Sequence, residues 1–128
     1  AILIEKIKIF SEELLLRQKV ADTYQENLGK VIKTPLIENG LTSAWAQYTL
    51  ILDDRDAVAN ALKEANIPSV VYYPKSLSQQ SGYDFYPSVS SGLVRSEQLT
   101  GRVLSLPMHP YLHLEEIERI CGVILDAI

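Results

Sequence analysis

Leu3, Ile7, Phe10, Leu14, Ala21, Tyr24 and Leu28 recur at steps of three, four or seven, and this one stripe limits the chain more than any other feature. Ile2, Ile9 and Leu16 widen it, while Glu5, Glu12, Lys19 and Glu26 lie a heptad apart on the far side. The pattern predicts a helix from the first residues to near Gly29, which can take the left-handed conformation that ends many helices. At ~1.5 Å per residue such a helix is roughly 40 Å long. A chain of 128 residues does not need that length to cover its own core. The excess predicts that part of the helix packs on something outside this sequence. The chain also starts without methionine, already inside the pattern, which suggests a fragment or a processed product.

The remaining elements are shorter. Asn39-Gly40 reads as a turn. From Ser43 to Leu52, Ala46, Tyr48, Leu50 and Leu52 alternate with Trp45, Gln47, Thr49 and Ile51, the period of a strand. Asp53-Asp54-Arg55-Asp56 ends that strand and opens a helix, where carboxylates cap free N–H groups and face the positive end of the dipole. A phosphate- or metal-binding acidic cluster is the sharper alternative, but capping already accounts for these residues. Ala57, Val58, Ala61, Leu62 and Ala65 form the buried stripe of this helix, and Asn66-Ile67-Pro68 stops it.

Ile67-Pro68-Ser69-Val70-Val71-Tyr72-Tyr73-Pro74 reads as a short buried strand bracketed by prolines. A serine-rich loop follows to about Gly92, then a short helix over Val94–Gly101 and a strand over Val103–Leu106, halted by Pro107. Met108-His109-Pro110-Tyr111-Leu112 makes a rigid turn. A last helix carries Glu115, Glu116 and Glu118 early and turns Ile117, Ile120, Cys121, Ile124 and Ile128 inward. Strands alternating with helices predict a small α/β two-layer sandwich: one mostly antiparallel sheet with helices on one face and the long helix at its N-terminus. Residues 1–128 show no domain boundary and read as a single domain.

Composition narrows the partners. An apolar fraction of 47% with 22% charged residues is that of a folded chain. A net charge of -4 and a pI near 5.1 leave no basic stripe for nucleic acid. Lys6, Lys8, Arg17 and Lys19 alternate with glutamates and read as a solvated helix face. The single cysteine, Cys121, cannot form an internal disulfide and sits among isoleucines at helical spacing, so an inert buried thiol is expected. No apolar run reaches membrane-spanning length, and a soluble, cytoplasmic protein is expected.

Self-contained chemistry is sparse. His109 and His113 are four apart, but Pro110 separates them, the helix begins only after His113, and nothing completes a metal set. There is no glycine-rich phosphate loop and no G-x-S-x-G elbow. Ser76, Ser78, Ser81, Ser88, Ser90 and Ser91 make the loop polar without an identifiable activated nucleophile. Tyr72, Tyr73 and Lys75 stand where a strand runs into a long loop, a common place to present groups to a ligand. The plainer alternative is an ordinary edge strand and a floppy connection.

The run from Glu5-Lys6-Ile7-Lys8-Ile9-Phe10 through Leu16-Arg17-Gln18-Lys19-Val20-Ala21-Asp22-Thr23-Tyr24 resembles the helix after the catalytic core of DegT/StrS-type aminotransferases. Further similar stretches are Ser43-Ala44-Trp45-Ala46-Gln47-Tyr48, Asp54-Arg55-Asp56, the Ile67–Pro74 run, and Leu104-Ser105-Leu106-Pro107-Met108-His109-Pro110-Tyr111-Leu112, all in the family's order. The resemblance implies the C-terminal small domain of a fold-type I enzyme that uses pyridoxal 5′-phosphate. Such an enzyme moves an amino group, expected from glutamate, to a nucleotide-linked keto-sugar for surface polysaccharide synthesis, and works as a homodimer. The Ser-Ala-Trp-Ala-Gln-Tyr wording is most similar to members acting on a UDP-linked 3-keto uronic acid.

The resemblance also implies that the Schiff-base lysine, the acid facing the pyridine nitrogen and the phosphate-binding groups precede this sequence, so no lysine here is nominated as catalytic. It places Tyr73, with Tyr72 before it, at the mouth of the active site as substrate-binding residues. Ser76-Leu77-Ser78 departs from the proline-leucine-histidine common in relatives. His109-Pro110 is read as a structural turn. Two rivals stand beside this reading: a dehydratase of the same fold, and a non-catalytic domain that binds a small molecule or a protein.

Overall fold

In a computed structural model, residues 2–83, 85–90 and 92–128 are described. The ends of two expectations, a helix starting at Ala1 and a loop serine at position 91, lie outside the described residues. Helix α1 spans Ile2–Leu28, but only its second half is buried, through Val20, Ala21, Tyr24 and Leu28. Leu3, Ile7 and Phe10 are 76%, 72% and 53% exposed. Gly29 ends the helix without a positive φ. Its lack of a side chain matters for space: a Cβ there would come within 2.6 Å of the Gln25 carbonyl oxygen.

Strand β1 (Tyr48–Ile51) pairs antiparallel with β2 (Val103–Leu106), Tyr48 opposite Leu106 and Leu50 opposite Leu104. Helix α2 (Arg55–Glu64) lies between them in sequence. Two expected strands are cut short. The one expected from Ser43 begins only at Tyr48, because Trp45 has a φ of 47° and leaves the extended path. Its indole N–H donates to Gln18 Oε1 at 2.7 Å, and its ring stacks at 5.6 Å on Tyr48. The expected strand at Ile67–Pro74 shrinks to one antiparallel bridge, in which Val70 and Ser105 exchange N–H···O bonds of 3.1 and 2.8 Å. The prolines at 68 and 74 carry no amide proton to extend it.

The boundaries of α2 follow the local chemistry. Asp54 Oδ1 accepts a bond from the Ala57 N–H at 3.0 Å, the capping predicted for the acidic run. Asn66, at a φ of 55°, terminates the helix. Helix α3 (Val94–Thr100) precedes β2, and α4 (Leu114–Asp126) closes the chain after His113, whose N–H donates to Glu116 Oε2 at 3.2 Å. Helix α4 packs on α1 and on α2. One core joins Tyr48, Leu50, Leu104 and Leu106 of the sheet to Tyr24 and Leu28 of α1, Val58 and Leu62 of α2, and Ile117, Ile120, Cys121 and Ile124 of α4. Ile128, expected inward, is exposed because it lies past the last helical turn. The opposite face of the sheet carries Thr49 and Ser105, whose hydroxyls bond at 2.8 Å. Among the described residues no helix is long and apolar enough to cross a membrane.

Candidate functional site

The Val70–Ser105 bridge anchors the segment that delivers Tyr72 and Tyr73. Val71 tucks against the core, and the chain then leaves the sheet, with a cis peptide between the two tyrosines. Tyr72 is 41% and Tyr73 67% exposed, and their rings meet edge-on at 5.6 Å and 63°. They open onto a groove of about 640 Å³, whose walls are Tyr72, Tyr73 and Lys75 on one side and Ser96, Leu99 and Thr100 of α3 on the other. That size suits a small-molecule site. Tyr72 also borders a smaller hollow of about 250 Å³ with Val70, Ser105 and Met108. The two phenols stand exposed beside the groove, but the strand expected to end in them is only the Val70–Ser105 bridge.

The loop beyond is partly ordered by its own hydrogen bonds. A single 3₁₀ turn over Leu77–Gln79 is fixed by the Ser76 N–H donating to Gln79 Oε1 at 3.1 Å. Ser78, at the position where relatives are expected to carry histidine, bonds Ser76 Oγ at 2.8 Å and donates to Glu97 Oε1 at 3.3 Å. Ser81, Ser88 and Ser90 are exposed.

The other sequence candidates are engaged locally. His109 Nδ1 accepts the Tyr111 N–H at 3.2 Å, a turn contact, while His113 starts α4, so the two imidazoles do not converge. Asp54 caps α2, Asp53 pairs with Arg102, and Asp56 pairs with Arg55 at 2.5 Å. A hollow of about 410 Å³ beside α1 is lined in part by Gln18, Asp22, Thr34 and Trp45. Its polar groups already bond one another: Trp45 to Gln18 and Gln18 to Asp22, each at 2.7 Å. The groove at Tyr72 and Tyr73 has fewer internal partners and is the better candidate.

Sequence reading missed one polar network. Arg17, taken for part of a solvated face, is half-buried and donates to the carbonyls of Trp45 (2.9 Å) and Met108 (3.3 Å). Glu13 accepts from Lys6 at 2.7 Å and from the Tyr111 hydroxyl at 2.8 Å. Those two hydrogen bonds, Lys6 first, hold the Glu13 carboxyl below its usual range, and the Glu13 carboxylate raises the Lys6 ammonium and the Tyr111 phenol. The contact to Tyr111 spans 98 positions and leaves no periodic trace. Burial pushes the Cys121 thiol up to about 11, in keeping with an inert side chain.

Pyridoxal phosphate does not fit the groove. Among the described residues its lining includes one ammonium, Lys75, and no carboxylate to face a pyridine nitrogen.

The profile of the DegT/DnrJ/EryC1/StrS aminotransferase family matches residues 1–125. The UDP-2-acetamido-2-deoxy-3-oxo-D-glucuronate aminotransferase of Pseudomonas aeruginosa is 41% identical over 98% of this chain, which covers 34% of that protein. The UDP-N-acetyl-3-dehydro-alpha-D-glucosamine 3-aminotransferase of Acidithiobacillus ferrooxidans is 38% identical over 84% of the chain and 29% of its own length. The crystal structure of a DegT DnrJ EryC1 StrS aminotransferase from Brucella abortus superposes with a TM-score of 0.94 at 43% identity, over 97% of this chain and 33% of that one. The chain therefore spans about a third of the length of the relatives it matches.

Proposed function

The chain belongs to the DegT/DnrJ/EryC1/StrS aminotransferase family, and we propose that it is the C-terminal small domain of a nucleotide-sugar aminotransferase. The observation that carries this reading is the end-to-end match to the P. aeruginosa enzyme, 41% identical over 98% of the chain. The substrate in that relative's name makes a UDP-linked 3-keto uronic acid the favoured acceptor here; glutamate is the amino donor of this proposal. Members of the family use pyridoxal 5′-phosphate in general. Because the groove does not fit it, the cofactor belongs to the part of the enzyme beyond this chain, and so does the carbon–nitrogen chemistry it supplies.

The role left to this chain is to close over the substrate. Tyr73, with Tyr72 beside it, hydrogen-bonds the sugar through its exposed phenol and shapes the mouth of the pocket. The apolar outer half of α1 supports the domain assignment, since Leu3, Ile7 and Phe10 form an unpartnered stripe suited to packing on a larger domain. The full protein works as a cytoplasmic homodimer that supplies an amino sugar for surface polysaccharide.

The test uses the full-length protein. Its cofactor absorption is recorded before and after glutamate, and turnover is followed as 2-oxoglutarate released with UDP-linked 3-keto sugars. Bleaching by glutamate together with amino-sugar formation is the expected result. A cofactor band that ignores every amino donor would move the protein to the dehydratase branch, and a colourless protein would end the enzymatic reading.

A further inference from the structure

The chain is acidic, at -4 overall, yet the groove beside the two tyrosines reverses that sign. Lys75 lines it, and among the described residues no aspartate or glutamate does. Among the described residues Lys75 takes part in none of the ion pairs, which use Lys6, Lys8, Arg55 and Arg102. Its backbone is held between Pro74, whose ring fixes φ, and the 3₁₀ turn closed by Ser76 and Gln79. The ammonium is therefore a point charge on a short, restrained stretch of chain, two residues beyond Tyr73. Across the groove, the Ser96 hydroxyl can donate to an anionic oxygen, whereas the Thr100 hydroxyl already donates to the Glu97 carbonyl at 2.7 Å.

Building on the nucleotide-sugar reading above, we propose that Lys75 is a specificity residue that binds anionic oxygens of the substrate in the groove beneath Tyr72 and Tyr73. Two sources present that chemistry, the diphosphate linking nucleoside to sugar and a carboxylate on the sugar. The aromatic edges of Tyr72 and Tyr73 would pack against the neighbouring ring while Lys75 neutralises the charge. The lysine does no proton transfer in this role. It acts on binding, and its loss raises KM with kcat little changed.

The experiment uses the full-length holoenzyme, wild type, Lys75→Gln and Lys75→Arg, with three probes: UDP, UDP-N-acetylglucosamine and UDP-N-acetylglucosaminuronic acid. Calorimetry measures binding of each probe at two salt concentrations. Lys75→Gln should weaken anion binding about five- to tenfold, the range between an exposed ion pair and a charged hydrogen bond, with a smaller salt dependence. Lys75→Arg should retain most of the affinity. Equal weakening for all three probes assigns the diphosphate, and weakening confined to the uronic acid assigns the carboxylate. Unchanged affinity of Lys75→Gln for all three, against a wild type that binds them, overturns the role of Lys75 alone. A wild-type holoenzyme that binds none of the three overturns the nucleotide-sugar reading on which the proposal rests.

Discussion

The Tyr24 hydroxyl donates a hydrogen bond to the Pro107 carbonyl oxygen 3.0 Å away. The bond ties the inner half of α1 to the point where β2 ends, across 83 positions of sequence. Two turns earlier on the same helix, Arg17 reaches the carbonyl of the next residue, Met108. The 107–108 corner is thus held from α1 by two donors, and residues 2–12 of the helix are exposed. Burial pushes the Tyr24 phenol far above its ordinary range, so it stays a protonated donor at any pH the protein meets.

Tyr24→Phe deletes the donor and leaves the Pro107 carbonyl without it, at a cost of about 1–2 kcal/mol. Tyr48→Phe should cost far less, because the buried Tyr48 hydroxyl has no hydrogen-bond partner among the described residues and the ring contacts at 4.9 and 5.6 Å remain. Urea unfolding of the two full-length variants compares them directly, and equal destabilisation would contradict the geometry.

Asp54→Ala removes the cap of α2 and should lower stability by about 1 kcal/mol. Asp53→Ala, which loses only the exposed Arg102 pair, should stay within about 0.5 kcal/mol, and Asp56→Ala, whose partner Arg55 is mostly covered, should fall between the two. Equal losses at all three, or stabilisation of the wild type by added phosphate or Mg²⁺ that every one of the variants loses, would restore the ligand-binding alternative for the cluster.

What could be read in advance follows range of interaction. The extent of α1, the Asp54 cap, the stop at Asn66, β2 and the start of α4 after His113 are decided within a few residues, and the structure has all of them. The strand expected from Ser43 failed because a positive φ at Trp45 serves its distant contact with Gln18 rather than local propensity. The candidate groove was visible as the two phenols before a long loop, but its far wall was not. Ser96 and Thr100 come from a helix some twenty residues later, and only the tertiary fold brings them across the groove. Likewise Arg17 carried the same local pattern as its truly solvated neighbours.

Cys121 should resist alkylation. With its thiol near 11, only about one part in a thousand is thiolate at pH 8, and the side chain is buried as well. Iodoacetamide followed by peptide mapping should leave the Cys121 peptide unmodified in the native protein and modify it fully in urea. Rapid native labelling would mean that α4 opens readily from α1 and α2.

Tyr73→Phe removes an exposed phenol and no core contact, so folding and cofactor content should not change. KM for the nucleotide sugar should rise about three- to tenfold, the loss of one hydrogen bond. Steady-state kinetics paired with the cofactor spectrum decides it: parallel loss of substrate and cofactor binding would place Tyr73 in a structural role.

The outer half of α1 gives the sharpest test of the domain assignment. Here Ile7 and Phe10 lie mostly in the open, so in this chain by itself a polar residue at either position would be nearly neutral. If the rest of the enzyme packs on that stripe, each side chain is buried in the full-length protein and contributes about 1.5–3 kcal/mol. Ile7→Asp and Phe10→Asp should then lower the unfolding midpoint of the full-length protein clearly, while Glu12→Gln on the opposite side leaves it unchanged. Lys6 complicates the reading only slightly, since its bond to Glu13 is on the surface and screened by salt. A full-length protein indifferent to both aspartates would mean that the stripe faces solvent in the whole enzyme, and the length of α1 would need another explanation.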